Sequence, residues 1–240
     1  MKIFKLVLIS FFLISAANSN SIYNLIKIPN LEIYKLKTPN NLRYFYAEKP
    51  FRLGVQKNIS CNNSDKKTYN KKFQIIFKNL NRYSAEFLKK INLKYIVMCE
   101  KLYISGINTA GIPDHIMKTL IIDLKFDEKY FERVIHHELF HIIYDSFKDL
   151  FDEEEWKKFN DANFKYADCS TCSKNLGLDT YKNTNGFFTE YSMTIPSEDM
   201  AEVYSHLIFG NYKSSSDKIL NKKIKFIKDK LTEIDSDFVF

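Results

Sequence analysis

The sequence predicts an α+β fold: a small mixed sheet with an edge strand beside a buried histidine-bearing helix, then a mainly helical C-terminal part. Three observations carry this. The β-rich runs KYIVMC, KLYIS and MKTLIIDL fall between residues 94 and 124. The next segment, FDEKYFERVIHHELFHIIYDSF at 126–147, fits one helix with apolar residues on most sides, the pattern of a buried helix. Two further helix-like stretches, IPSEDMAEVYSHLIFG and SDKILNKKIKFIKDKL, follow the long segment after it.

Residues 1–19 have a basic start at Lys2 and Lys5, an apolar run and small residues at Ala16, Ala17 and Ser19. This is the pattern of a secretory signal peptide, and the apolar run is shorter than the roughly 20 residues a membrane span needs. The expectation is an exported chain, secreted or periplasmic, with no stable membrane anchor and residues 20–240 as a single domain. Residues 20–70 form an N-terminal extension in which short apolar pieces alternate with Pro29, Pro39 and Pro50, suggesting short strands and loops. Apolar residues from Phe73 to Ile91 recur every three or four positions, which predicts one amphipathic helix over 72–92. INTAGIPD reads as a turn-rich loop, and MKTLIIDL as the edge strand to which an extended peptide would add by backbone pairing.

Asp127 is the expected cap of the histidine helix, Asp152 that of a helix over 152–165, and Ser197 that of the helix that Gly210 ends. The last helix places Leu220, Ile224, Ile227 and Leu231 on one face and lysines on the other.

The net charge is +7, or +5 once Lys2 and Lys5 leave with the leader, and the lysines are scattered among asparagines and acids. No arginine-rich or aromatic-basic module is present, so no nucleic-acid partner is expected. Four cysteines allow three pairings, of which Cys61 with Cys99 and Cys169 with Cys172 is preferred in an oxidising compartment. The CSTC pair lacks two further ligands at zinc-knuckle spacing, which favours a structural disulfide.

HHELFH contains an HExxH pattern at His137, Glu138 and His141. Positions four apart on a helix share a face, so both imidazoles reach one ion, and Glu138 leans toward its open side. Zinc held by three protein groups keeps a fourth position for water, from which a carboxylate takes a proton. His136 faces elsewhere and reads as a packing residue. The third ligand has to come from later in the chain, because the residues after His141 do not extend the motif to a third histidine. EDMAE offers Glu198 and Glu202 on one face; Glu198 is assigned as ligand and Glu202 as hydrogen-bond partner of a ligand histidine, with the reverse order left open.

HELFH followed by EDMAE resembles the gluzincins, zinc peptidases with two histidines and a glutamate. Trp156, Asn160, Phe164 and Tyr166, then Gly186, Phe187 and Tyr191, then Glu198, Asp199, Ala201 and Glu202 are similar in spacing to bacterial zinc metallopeptidases related to the anthrax lethal factor catalytic domain. The resemblance spans about residues 94–210, leaving out the N-terminal stretch and the last helix. It implies a zincin-like fold, one Zn2+, and hydrolysis of peptide bonds in a peptide or protein substrate, with Glu138 as general base. It also implies that Tyr191, seven residues before Glu198, assists the transition state. Independently of it, a phenol beside the metal can donate to an oxyanion. The CSTC pair lies outside the family pattern. The alternatives are a secreted binding protein of the same fold without turnover, and a narrowly specific toxin-like protease.

Overall fold

The structure, a computed structural model, describes residues 31–33, 38–172, 176–210 and 216–240. The expected signal peptide at 1–19 lies outside the described residues, and no helix among them is long and apolar enough to cross a membrane.

The architecture is a mixed sheet with helices packed mainly on one face. Its axis is β5 (Tyr95–Ile104), whose two halves pair differently. The first half runs parallel to β2 (Arg43–Ala47) on one side and to β8 (Thr119–Asp123) on the other. The second half pairs antiparallel with β4 (Ile59–Asn62) and with β6 (Ile107–Asn108). β1 (Leu31–Ile33) and β3 (Phe51–Leu53) extend the sheet through β2 and β4. The stretch read as an N-terminal extension therefore supplies four strands of the same sheet.

β8 is an interior strand, paired with β5 and, antiparallel, with β7 (Gly111–Asp114). The expectation that MKTLIIDL forms the edge is thus corrected: all five residues of β8 are buried, and a run apolar at successive positions suits a strand covered on both faces. The edge belongs to β7, in the segment read as a turn-rich loop. Asp123, fully buried at the end of β8, accepts from the backbone N–H groups of Lys101 and Leu102 at 2.9 and 3.0 Å and from Asn108 Nδ2 at 3.0 Å. It thereby satisfies the donors left by the break at Lys101, where φ is 56°, and fixes the β5–β6 hairpin that leads into β7.

The helix expected over 72–92 is two. α1 (Lys66–Leu80) is capped by Asp65, and α2 (Ala85–Lys90) by Ser84, whose extended backbone breaks the run. α3 (Phe131–Ser146) starts after Tyr130, not at Asp127. The Asp127 side chain caps a preceding turn by accepting from Lys129 N at 2.9 Å. α4 (Glu153–Lys157) has the predicted Asp152 cap but stops early. α5 (Pro196–Phe209) begins with Pro196 after an extended Ile195, so Ser197 lies inside the helix; Gly210 ends it at φ 79°. α6 (Lys218–Ile234) is capped by Asp217.

The main core lies between the sheet and the helices, and a smaller one, including Phe51, Val97, Leu102 and Ile121, covers the other face. Cys61 and Cys99 are bridged within the smaller core and tie β4 to β5; Cys169 and Cys172 are bridged in the loop after α4.

Lys223 departs from the expected lysine face of α6. It is fully buried, with Nζ 2.7 Å from Asp199 Oδ2 and 2.8 Å from the Gly186 carbonyl, over the Phe187 ring. Asp199 Oδ2 also accepts from Trp156 Nε1 at 2.9 Å and the Tyr166 hydroxyl at 2.5 Å, and Asn160 donates to that hydroxyl at 2.9 Å. Removing one member of a buried ion pair strands the other charge at a cost of about 3–5 kcal/mol. Lys223→Met is therefore expected to lower unfolding free energy by about that amount in urea titration; a loss under about 1 kcal/mol would show that the pair does not hold α6.

Candidate metal centre

α3 is buried on nearly every side, and each face meets a different neighbour. His136 turns away from the cleft: its Nδ1 lies 2.7 Å from the Tyr83 hydroxyl and its Nε2 2.9 Å from Asn79 Oδ1. Burial lowers its pKa to about 3, so it is a neutral core histidine.

His137 and His141 project from the opposite face toward α5. Their Nε2 atoms are 3.2 Å apart, and Glu198 Oε2 lies 3.0 Å from the first and 3.2 Å from the second. These three donors form the group that could hold a metal ion among the described residues. Glu202, one turn after Glu198, places Oε1 2.8 Å from His137 Nδ1. With an ion held at Nε2, that bond would take the Nδ1 proton and leave the Nε2 lone pair for the metal.

The donor set fits zinc. Two imidazole nitrogens and one carboxylate oxygen match the ligand chemistry of an open zinc site. The local field asks for positive charge as well. Burial alone would depress His137, yet hydrogen bonds to Glu198 and Glu202 outweigh it and raise its pKa to about 10. Glu198 is held below the usual carboxylate range despite burial, by the charge of His141 and hydrogen bonds from both histidines. A divalent cation bound by these atoms would meet the same demand with both imidazoles neutral.

Glu138 sits beside the cluster, buried, with Gly111 packed against its side chain. Burial raises its pKa. A Cβ at Gly111 would fall 2.8 Å from Glu138 Cγ, so only glycine lets β7 pass this close. Tyr191 packs its ring 5.8 Å from that of His137, within reach of the charge of Glu198. Burial, then the charge of Glu198, raise its pKa and keep the phenol protonated.

These residues line a cleft of about 570 Å³. Gly111, Ile112 and Pro113 of β7 line it, and Ser170, Thr171 and Leu176 of the loop carrying the Cys169–Cys172 bridge add polar and apolar surface.

A family profile described as "putative zinc-binding metallo-peptidase" matches residues 104–236, more than half of the chain. The chain belongs to this family. A metallopeptidase role follows, with zinc as the metal. The match takes in α6, which the resemblance read from the sequence left outside, and Lys223 with it. A crystal structure of a "putative zinc-binding metallo-peptidase" from Bacteroides caccae is similar in fold, with a TM-score of 0.50 at 18% identity over 81% of this chain and 80% of that one. No curated protein matches the chain.

Arg133 escaped the sequence reading because a lone arginine one turn before an HExxH motif has no distinctive pattern. It is buried, with Nη1 2.5 Å from Glu202 Oε2 and Nη2 donating to the Leu178 carbonyl at 2.8 Å. Thr189 Oγ1 donates to the same Glu202 oxygen at 2.9 Å. Together they fix the carboxylate that orients His137, and Glu202 is held down to about pKa 2 against burial by His137 and Arg133. Losing a group that orients a metal ligand typically costs 10–100-fold in affinity. Arg133→Gln is expected to raise the zinc dissociation constant by about that factor in chelator competition, with partial recovery in Arg133→Lys.

Proposed function

We propose that the protein is an exported zinc metallopeptidase of the gluzincin type, with a zincin fold related to that of the lethal factor catalytic domain. The observation that carries this reading is the convergence of His137, His141 and Glu198 beside a buried Glu138, in a cleft walled by a strand edge that no other strand among the described residues pairs. Zinc held by these donors would polarise a carbonyl and lower the pKa of a water molecule.

The chain's own residues account for the rest. Glu138, its proton affinity raised by burial, takes a proton from the attacking water and delivers it to the departing amine nitrogen. Gly111, packed against that side chain, limits where the carboxylate can turn. Tyr191, a protonated phenol at the edge of the donor cluster, donates to the oxyanion as charge develops on the former carbonyl oxygen. Arg133 and Glu202 hold His137 in the tautomer a metal ligand needs. The β7 edge supplies backbone pairing for an extended peptide, the role first ascribed to MKTLIIDL. Export rests on the leader-like pattern of residues 1–19.

The rival, a binding protein of the same fold without turnover, is separated from this reading by two variants. Glu138→Ala is expected to retain zinc and lose about 10²–10⁴-fold in turnover of a peptide library, whereas Glu198→Ala loses zinc itself, read by metal analysis. Equal inactivity of the zinc-loaded wild type and the Glu138 variant would favour the binder. Tyr191→Phe is expected to lower kcat about 100-fold with a much smaller change in KM; an unchanged kcat would remove Tyr191 from the oxyanion role.

A further inference from the structure

The free edge of β7 carries an asymmetry that bears on which peptides the cleft accepts. In an antiparallel ladder, successive residues alternate between bonding the neighbouring strand and facing away from it. Asp123 N donates to the Ala110 carbonyl at 2.9 Å, so Ala110 faces β8, and alternation turns Ile112 and Asp114 the same way. Pro113 stands opposite Leu120 and has no N–H, which suits only a position facing away. The polar groups of Gly111 and Pro113 therefore point outward, and both residues line the cleft.

Two consequences follow for what the edge offers. Its donors are curtailed: Pro113 has none, and Gly111 has the Glu138 side chain packed against it, so that a Cβ there would lie 3.1 Å from the carboxyl carbon. Its acceptors remain. The Gly111 carbonyl accepts from Thr109 Oγ1 at 3.0 Å and has a second lone pair, and the Pro113 carbonyl is the other outward acceptor. Among the described residues, no strand other than β8 pairs with β7.

We infer that β7 recognises a peptide through carbonyl acceptors only, with Pro113 as the residue that makes the selection one-sided. Resting on the metallopeptidase reading above, this narrows the substrates to extended peptides that present backbone N–H groups at two positions two residues apart. Proline or an N-methylated residue is disfavoured at those two positions. The substrate carbonyls beside them are left to water, so the edge places no demand on them.

A proline on an edge strand also discourages annealing of a second chain, and that is the competing role for Pro113. The test starts with the zinc-loaded full chain and a peptide library to map a cleavage site, followed by N-methylation of that peptide one residue at a time. The expected result is a loss of about three- to tenfold in kcat/KM, the worth of one hydrogen bond, at two positions two residues apart. Pro113→Ala restores a donor and is expected to lower KM by about the same factor with zinc content unchanged. Should the alanine disturb the strand, Pro113→Val introduces the same donor in a residue that favours strands. A KM unchanged in both variants overturns the inference, and dimerisation at unchanged KM assigns Pro113 to edge protection instead. If the zinc-loaded wild type cleaves and binds no peptide, the metallopeptidase reading itself fails and takes the inference with it.

Discussion

α5 carries three carboxylates into the interior within five residues, and the arrangement of the helical half depends on giving each a partner. Glu198 meets His137 and His141, Glu202 meets His137 and Arg133, and Asp199 meets Lys223, Trp156 and Tyr166. An unpaired charge at any of these places would cost several kcal/mol. Residues 198 and 202 share one face, toward α3, while residue 199 is turned about 100° from 198, toward α4 and α6. The same requirement that satisfies buried charge therefore locks α5 between α3 on one side and α4 and α6 on the other. The donor cluster shares that lock: Glu202 is held by Arg133 and His137, and the Glu198 carboxylate one turn earlier faces the two imidazoles.

The sheet imposes the second constraint. β5 can take parallel partners in its first half and antiparallel partners in its second only if the ladder is interrupted between them, at Lys101. Asp123 absorbs the backbone donors this exposes, so the hairpin leaves the sheet at a fixed place and returns as β7. Gly111 then brings the strand against Glu138 without a clash. The wall of the cleft and the base beside it are thus set by one buried aspartate and one glycine, neither of which is part of the HExxH pattern.

Much of the cluster was legible in the sequence because its logic is local. His137 and His141 share a helix face by spacing alone, as do Glu198 and Glu202, and the order of the two pieces left few other donors to complete a three-ligand set. The motif of Trp156, Asn160 and Tyr166 was visible as a pattern, but its physical role was not: those side chains gather around Asp199, whose ion-pair partner Lys223 comes from 24 residues beyond that aspartate. Lys223 sat in a helix whose other lysines are largely solvated, so periodicity placed it outside. Arg133 was passed over for a related reason, since burial is what makes it a partner of Glu202. The caps expected at Asp127 and Ser197 failed because a suitable side chain near a helix start can serve a turn or lie one residue inside, as proline at N1 shows here.

By itself the sequence determined which residues can share a helix face, where the buried helix lies and which side chains have the chemistry of a zinc site, because these follow from a period of about 3.6 residues and from side-chain chemistry. The tertiary structure alone decided which strand is the edge, which lysine and arginine are buried and what the loop INTAGIPD becomes. Strand neighbours and buried ion pairs are set by contacts between distant segments, and no local pattern distinguishes an apolar run with a partner on each side from one with a partner on only one.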